Sequence, residues 1–475
     1  MLRASIPVEV GTIVWSEKRR VEKVKTLLSH LFNILLATTI ASATMAQGVV
    51  DVHSHIITPG FVSALENEGR LMDEGFPLPK YDVTEHLRWM DEAGVETSVL
   101  TLAAPQPTSP TVVRQANEAA ARIKHEHPGR FLFCAALPLP DVSKSIEEAK
   151  YSLDVLKADG IKLATNVQGQ YLGAPELDTL FSVLNERKAL VILHPHRPEP
   201  VNKQVMEQTP LAMQEYLAET TRAVTNMISR NLLARYPQLK VVVPHCGAYL
   251  PLAYPRMKSL TPVMQANKMM GEIDYEANLR ALYYDLAGAH SPETIRMLLT
   301  ITTPDHLLYG SDYPYVAPQA LTQSLARMKQ YLSTEPDLAP FREMILYKNA
   351  QWLLGQTAEK PSAVNRVAEG MLFRLAEIEV HPQYLKEYLA AAAEIQKASL
   401  AEEPGVVCLF PTQTKEDSTQ IRILEIYASQ QAYQHHIQTA HFKKYKQGTL
   451  HMVKHLKLQD LQPLTPETMN KIFKR

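Results

Sequence analysis

The sequence predicts an α/β protein that consists of a TIM, or (β/α)8, barrel followed by a small α+β domain of the ferredoxin-like arrangement. Eight runs of β-forming residues alternate with amphipathic segments over the first 354 residues, which is the pattern of parallel βα units. Four short motifs that close such runs carry a His or an Asp able to bind a metal. Because a parallel barrel gathers the carboxyl ends of its strands at one face, the pattern predicts one shared site there.

The predicted strands are separated by segments long enough for right-handed crossovers. The strands are expected at residues 49–53, 95–101, 131–136, 160–165, 189–194, 239–245, 281–285 and 307–312. The helix-like segments include Val83–Ala93, Val112–His125, Ser145–Ala158, Glu176–Arg187 and Tyr216–Tyr236, with a closing helix near Ala350–Leu354. They delimit a barrel domain over residues 47–356, the size expected of one barrel of roughly 250 residues or somewhat more.

Four short motifs at strand ends carry side chains able to bind a metal: DVHSH (51–55), ILHP (192–195), VVVPHCG (241–247) and LLYGSDYP (307–314). In the first motif, the side-chain period of two sends His53 and His55 to the same face of the strand. Imidazoles together with a carboxylate are a usual ligand set for Zn²⁺ and related divalent ions. The motifs therefore predict a metal centre at the mouth of the barrel.

These motifs, together with GIKL (160–163) and KNAQWLL (348–354), resemble the amidohydrolase-related (amidohydrolase 2) family. The branch that they are most similar to contains aminocarboxymuconate semialdehyde decarboxylase and the salicylate- and resorcylate-type decarboxylases, and the resemblance covers residues 49–355. It implies one divalent metal, most often zinc with manganese as the alternative, held by His53, His55, His194 and Asp312. It also implies that His245 lies beside the metal-bound water or substrate as a proton donor and acceptor.

Two reactions fit this chemistry. A divalent metal polarises substrate oxygens and lowers the pKa of bound water, which serves either decarboxylation of a small aromatic or dienoic carboxylic acid or hydrolysis of a cyclic ester, lactone or amide. A histidine titrates in the range needed to move the proton. A non-catalytic protein that has kept the fold is a third reading, and the complete ligand set argues against it.

Several residues keep alternative interpretations. His245 is either the catalytic residue or a fifth ligand, and His196 either faces substrate or is a hydrogen-bonded loop residue. Lys162 stands where binuclear relatives carry a bridging carboxylated lysine, a role that the mononuclear branch does without, and Asp51 is expected behind the ligands. An arginine is expected to bind the substrate carboxylate, and the candidates are Arg70, Arg88, Arg197 and Arg222.

A second domain is predicted over residues 370–462, after a polar linker at 357–369 and before a tail at 463–475. Its pattern is strand, helix, strand, strand, helix, strand, the ferredoxin-like order. The elements are expected at Met371–Val380, Tyr384–Ser399, Val406–Pro411, Gln420–Ala428, Gln430–Thr439 and Leu450–Leu456.

The run IRILEIYASQQAYQHHIQTAHFKKY (421–445) in this domain resembles the antibiotic biosynthesis monooxygenase family. The resemblance implies a dimeric α+β barrel, and some family members oxidise phenols or hydroquinones with dioxygen and without metal or flavin. His436 and His441 match the H-x(4)-H pattern of the family and form a candidate second site. A dimerisation module is the alternative reading, and we expect a homodimer in either case.

The amino terminus has the pattern of a secretory signal. Basic residues between positions 18 and 25 precede an apolar run from Leu27 to Ile40, and the small residues Ala43 and Ala46 follow. We therefore expect residues 1–46 to be an extension with a signal peptide, and the enzyme to be exported to the periplasm or secreted. An uncleaved membrane anchor is the alternative.

Composition limits the partners. The 475 residues carry a net charge of −1, which gives no sign of a nucleic-acid partner. The three cysteines, Cys134, Cys246 and Cys408, are odd in number and widely spaced, so no disulfide framework is expected. The predicted partner is a small carboxylic acid substrate.

Overall fold

The computed structural model describes residues 48–200, 209–288, 290–358, 360–361, 371–403 and 405–464. The predicted signal peptide within residues 1–46 lies outside these ranges, and so do most residues of the predicted linker and tail.

Eight parallel strands form one sheet in which the spatial order equals the chain order. They are β1 (Val49–Ile56), β2 (Val95–Leu102), β3 (Phe131–Ala135), β4 (Gly160–Ala164), β5 (Leu190–His194), β6 (Lys240–Val243), β7 (Tyr283–Asp285) and β8 (Leu307–Leu308). A short hairpin, Asn166–Val167 with Gln170–Tyr171, follows β4. The predicted TIM barrel is confirmed, although several strands end before their predicted last residue.

The barrel closes between β1 and the chain that follows β8. Strand β8 has only two residues, so closure depends on irregular backbone beyond it. Val52 N–H donates to Tyr309 O at 3.0 Å, and His55 N–H donates to Tyr313 O at 2.7 Å. Between these two bonds, Asp312 N–H donates to His53 O at 2.8 Å. The closing contacts therefore bring Asp312 beside the first two histidines.

Twelve α-helices of the barrel region surround or extend this sheet in the part of the chain that the structure describes. They are α1 (Pro59–Asn67), α2 (Val83–Ala93), α3 (Pro110–Glu126), α4 (Val142–Asp154), α5 (Asp178–Glu186), α6 (Glu215–Ser229), α7 (Leu232–Arg235), α8 (Leu250–Ala266), α9 (Tyr275–Ala281), α10 (Pro292–Leu298), α11 (Pro318–Thr334) and α12 (Asn349–Leu353). The single helix predicted over Tyr216–Tyr236 is wrong, because Asn231 adopts φ +53° and divides it into α6 and α7.

Both faces of the barrel strands are buried, which is why the β runs of the sequence are rich in apolar residues. All eight residues of β1 are buried, because a parallel barrel covers its strands with helices outside and side chains inside. Asp51, His53 and His55 alternate with Val50 and Val52 along this strand. The polar face of β1 therefore points into the barrel and the apolar face packs against the helices.

The second domain is a four-stranded antiparallel sheet with helices. Its elements are β9 (Leu372–Val380), α13 (Leu385–Glu402), β10 (Val406–Gln413), β11 (Gln420–Tyr427), α14 (Gln430–His436), α15 (Ala440–Thr449) and β12 (Val453–Leu461). The sheet order is β10-β11-β9-β12, which confirms the ferredoxin-like prediction. The helix predicted over Gln430–Thr439 ends early, because the Thr439 side chain caps a second helix by accepting from Phe442 N–H. The last strand consequently starts at Val453 rather than at Leu450.

None of the helices in the described ranges combines the length and the hydropathy that a membrane crossing requires.

Replacement of Gly310 by Ala tests the closure. A Cβ at Gly310 would lie 2.8 Å from His53 Cβ and 3.3 Å from Asp285 Cβ. We expect Gly310→Ala to lower the free energy of unfolding by about 1–3 kcal/mol, because the site is already closely packed. Denaturant unfolding measures this change.

Gly271→Ala is the matched control, because no atom lies within 4 Å of its Cβ position. Equal unfolding midpoints for the two variants would contradict the close packing of Gly310, in the chain after β8, against His53 of β1.

Candidate active site

The five residues predicted for the barrel site meet at the carboxyl ends of the strands. His53 and His55 come from β1, His194 ends β5, and His245 and Asp312 follow β6 and β8. The His53 ring centroid lies 5.2 Å from that of His55, 5.3 Å from that of His194 and 5.0 Å from that of His245. The structure therefore places every predicted residue in one cluster.

The hydrogen bonds of the imidazoles fix which nitrogen carries the proton. His53 Nδ1 donates to Asp285 Oδ2 at 2.8 Å, and His194 Nδ1 donates to Pro195 O at 2.8 Å. Both partners only accept, so each Nδ1 must hold the hydrogen. In the neutral form of each ring, Nε2 then has a free lone pair.

His55 follows the same rule through Thr101. The Thr101 hydroxyl is 3.1 Å from Ser54 O, to which it donates, and 2.9 Å from His55 Nδ1. With its own hydrogen on the carbonyl, this hydroxyl accepts from His55 Nδ1–H. The lone pair of His55 Nε2 then faces Asp312 Oδ1 at 3.1 Å. In the other tautomer, Thr101 donates to His55 Nδ1 and His55 Nε2–H donates to Asp312 Oδ1. Only the first tautomer presents an Nε2 lone pair to a cation.

One potential ligand atom each from His53, His194, His245 and Asp312 lies within 4.8 Å of all the others. His53 Nε2 and His245 Nδ1 are buried without a hydrogen-bond partner, which is costly unless something compensates for it. The site therefore fits a divalent cation on chemical grounds. This set contains His245 where the predicted ligand set has His55, so the geometry leaves both readings of His245 open.

The electrostatics of the cluster also favour a cation. Burial lowers the pKa of His55 to about 4 and that of His194 well below its ordinary value. Burial by itself raises the pKa of Asp312, but the hydrogen bond with His55 and the charge of His53 bring it down to about 2. The pKa of His53 is lowered by burial but raised to about 9 overall by the charges of Asp285 and Asp312 and by the hydrogen bond with Asp285. Because metals bind the neutral imidazole, a metal would displace the Nε2 proton of His53.

Two carboxylates behind the cluster hold it in place. Asp285 Oδ1 accepts from His245 N–H at 3.0 Å while its Oδ2 binds His53. Asp51 accepts from Ser311 N–H at 2.9 Å and from His53 N–H at 3.0 Å. Asp51 thus has the supporting place that the sequence predicted. Asp285 was not predicted, and its signal was the acidic residue that ends the seventh β run.

His245 lies on a loop with an uncommon backbone. His245, Cys246 and Ala248 all have φ between +53° and +56°, a region that residues other than glycine adopt at a cost, most often at functional sites. A Cβ at Gly247 between them would lie 2.9 Å from Leu298 Cδ1. The PHCG motif is therefore needed to turn the chain and present the imidazole.

A cavity of about 690 Å³ opens beside the cluster. Its wall is mainly apolar and aromatic, and its lining includes Phe76, Met213, Tyr216, Leu217, Tyr249, Leu252, Met297, Tyr315 and Val316. Among the described residues, no Arg or Lys lines it. The described wall therefore contains none of the four candidate arginines.

The four candidate arginines contact acidic side chains elsewhere. Arg70 pairs with Asp73 and Glu68, Arg88 with Glu85, Arg197 with Asp73 and Glu199, and Arg222 with Glu219.

Lys162 and His196 lie in a buried polar layer. Lys162 Nζ donates to Gln106 Oε1 at 2.7 Å, and burial lowers its pKa to about 8. His196 Nε2 is 3.1 Å from Glu74 Oε1, and Glu74 Oε2 accepts from the Tyr216 hydroxyl at 2.8 Å. Tyr216 lines the cavity, so Glu74, which the sequence analysis missed, fixes one of its walls.

The two histidines predicted for the second domain also come together. Glu403 Oε1 lies 2.9 Å from His436 Nδ1 and 2.6 Å from His441 Nε2. Glu403 was not predicted from the sequence.

Asp285→Asn tests the supporting role of this carboxylate. The amide can present its NH₂ to His53 Nδ1, which removes the constraint that keeps the hydrogen there, so we expect metal affinity to fall about 10–100-fold. Competition with a fluorescent chelator measures the dissociation constant.

Asp141→Asn serves as the control, because Asp141 caps α4 far along the chain from the cluster and Asn is an equally good N-cap. Wild-type affinity in Asp285→Asn would refute the positioning role.

Comparison with known proteins agrees with this geometry. The model of the family described as Amidohydrolase matches residues 50–356, and that of Antibiotic biosynthesis monooxygenase matches residues 371–448. The decarboxylase yanB of Aspergillus niger is 32% identical over 305 residues, which are 60% of this chain and 82% of that protein. The 6-methylsalicylic acid decarboxylase of Penicillium expansum is 28% identical over 299 residues, 59% of this chain and 90% of that protein.

A solved structure shares the fold. It is the dihydroxybenzoic acid decarboxylase of Polaromonas sp. JS666 with bound manganese and the inhibitor 2-nitroresorcinol. Its TM-score is 0.53 at 19% identity, and the match covers 66% of this chain and 99% of that one. The chain therefore belongs to the amidohydrolase family, among relatives that are decarboxylases, and carries a C-terminal domain of the antibiotic biosynthesis monooxygenase type.

Proposed function

We propose that the barrel is a divalent-metal-dependent carboxy-lyase that removes carbon dioxide from a small aromatic acid with a hydroxyl group ortho to the carboxylate. The observation that carries this proposal is the convergence of the Nε2 atoms of three histidines and of Asp312 beside an apolar cavity. The relative named for 6-methylsalicylic acid supports the substrate class.

His53, His55, His194 and Asp312 would hold the ion, and His245 stands beside it as the catalytic residue. When bound, the ion would supply positive charge to the substrate's carboxylate and hydroxyl oxygens. The mixed imidazole and carboxylate set suits zinc or manganese. We favour zinc from the family resemblance, and the manganese of the Polaromonas relative keeps that metal as the alternative.

The residues of the cavity prepare the substrate for loss of carbon dioxide. Tyr216, held by Glu74, and Tyr315, whose hydroxyl donates to Ala104 O at 3.2 Å, are fixed aromatic walls for a planar ring. Their apolar neighbours exclude water, which destabilises the carboxylate relative to the neutral carbon dioxide that it becomes.

His245 supplies the proton. Its imidazole lines the cavity, so it can protonate the ring carbon that bears the carboxylate. The C–C bond to the carboxylate then breaks, its electron pair returns to the ring, and carbon dioxide leaves. The product is the phenol with hydrogen at that carbon, and His245 regains its proton from solvent.

We also propose that the chain is a homodimer through its second domain. Strand β12 leaves Leu456 52% exposed and Leu458 49% exposed, and an apolar strand surface of this kind favours a partner. Sedimentation of wild type and Leu456→Glu/Leu458→Glu tests this. A dimer that the paired substitution converts to a monomer supports the proposal, and a wild-type monomer refutes it.

Export is a further proposal, based on the apolar run Leu27–Ile40 and the small residues after it. Amino-terminal sequencing of the protein recovered from the cell envelope is expected to start at residue 44 or 47. A chain that keeps residues 1–43 would overturn cleavage.

The variants His194→Ala and His245→Asn distinguish the role of a metal ligand from that of the proton donor. His194→Ala should lower bound metal by about one ion per chain and abolish carbon dioxide release from 6-methylsalicylate. His245→Asn should keep the metal but slow release by about 10²–10⁴-fold, the usual contribution of a general acid. Metal analysis and carbon dioxide detection measure both.

His125→Asn, at an exposed position of α3, controls for the loss of an imidazole. Loss of metal in His245→Asn would identify His245 as a ligand. Hydrolysis of a lactone by a wild type that releases no carbon dioxide would favour the hydrolase alternative.

The ortho hydroxyl should decide substrate choice. Because the described cavity wall offers no cationic side chain, the substrate needs two oxygens directed to the ion. We expect 2-methoxy-6-methylbenzoate to be decarboxylated at least about 100-fold more slowly than 6-methylsalicylate, since a lost charged contact of roughly 3 kcal/mol has that effect on rate. Equal values of kcat/KM would contradict this binding mode.

A further inference from the structure

The second domain contains a group of metal-binding side chains that the barrel reaction does not use. Glu403 follows the carboxyl end of α13, His436 ends α14, and His441 lies in the first turn of α15. One potential ligand atom of each lies within 4.8 Å of the other two. Three separate helix ends therefore converge on one point.

Both imidazoles of this group face the same carboxylate oxygen. Glu403 Oε1 is 2.9 Å from His436 Nδ1 and 2.6 Å from His441 Nε2. These are hydrogen-bond lengths, and the 2.6 Å contact is shorter than the separation of about 3 Å between two ligand atoms that lie about 2.1 Å from one ion at right angles. Metal binding would therefore replace these hydrogen bonds and move the ligand atoms slightly apart.

The charge of Glu403 needs compensation. This residue is 5% exposed, and its ion-pair partners among the described residues are the two imidazoles, with no Lys or Arg. A buried carboxylate is costly without a positive partner. Either one imidazole is protonated or a metal cation supplies the charge, and these alternatives differ in metal content.

We propose that Glu403, His436 and His441 bind a divalent first-row transition metal, so that each chain has a second metal site besides that of the barrel. Two imidazoles and one carboxylate are the ligand set of mononuclear sites that keep open coordination positions. The set is complete within the second domain and needs no residue of the barrel.

His436 also lines a cavity of the second domain. The second domain encloses about 620 Å³ lined by His436 together with Tyr388, Tyr427, Tyr433 and Tyr445. The Tyr388 and Tyr445 hydroxyls are 2.6 Å apart, which fixes two of these rings. The proposed site therefore borders an aromatic cavity through His436.

Metal counting on the full chain tests the proposal. Protein stripped with a chelator and equilibrated with Zn²⁺ should bind two ions per chain, whereas Glu403→Gln and His441→Asn should each bind one. His194→Ala should also bind one, through loss of the barrel site, and His194→Ala/His441→Asn should bind none. His435→Asn, at the exposed neighbour of His436, is the control and should bind two.

Co²⁺ identifies the ligands in the same proteins. In the His194→Ala background, one equivalent of Co²⁺ should produce visible d–d absorption, and addition of His441→Asn should remove it while the circular dichroism stays unchanged. Equal Zn²⁺ content in wild type, Glu403→Gln and His441→Asn would overturn the second site. Failure of the barrel proposal would show instead as unchanged Zn²⁺ content in His194→Ala, so the two outcomes are distinguishable.

Discussion

The barrel site depends on the hydrogen bonds that close the sheet between β1 and the chain after β8. Only two residues of the eighth strand are regular, and the rest of the seam is formed by single bonds such as Asp312 N–H to His53 O. Asp51 reinforces it by accepting from Ser311 across 260 positions of sequence. If this seam opened, the carboxylate from one end of the barrel sequence would separate from the histidines of the other end.

Asp285 positions two histidines of the cluster, His53 and His245. One carboxylate oxygen holds the proton on His53 Nδ1, and the other anchors the backbone of His245. A single buried side chain therefore places both His53, a proposed ligand, and His245, the proposed proton donor. The hydrogen bond from His245 N–H to Asp285 and the close packing around Gly247 oppose relaxation of the strained backbone at His245.

The charge distribution of the site suits an anion only when a cation is bound. Carboxylates surround the imidazoles from behind, while the described cavity wall in front is apolar and aromatic. An anionic substrate would be repelled by the first group and gains no charged contact from the second. In the proposed reaction the ion therefore governs substrate binding, and the apolar wall favours departure of the neutral product.

The sequence by itself determined the barrel, the second domain and the placement of the five candidate residues at strand ends, because strand periodicity and strand-end position are local properties that fix which face and which end a side chain occupies. The tertiary structure decided what those residues contact. The pairing of His53 with Asp285 spans 232 positions, and that of His436 with Glu403 spans 33. Such partners have no local sequence pattern, because they meet only when distant elements pack. The packing of distant elements also decides which side chains line the cavity, and no arginine is among those of the described wall.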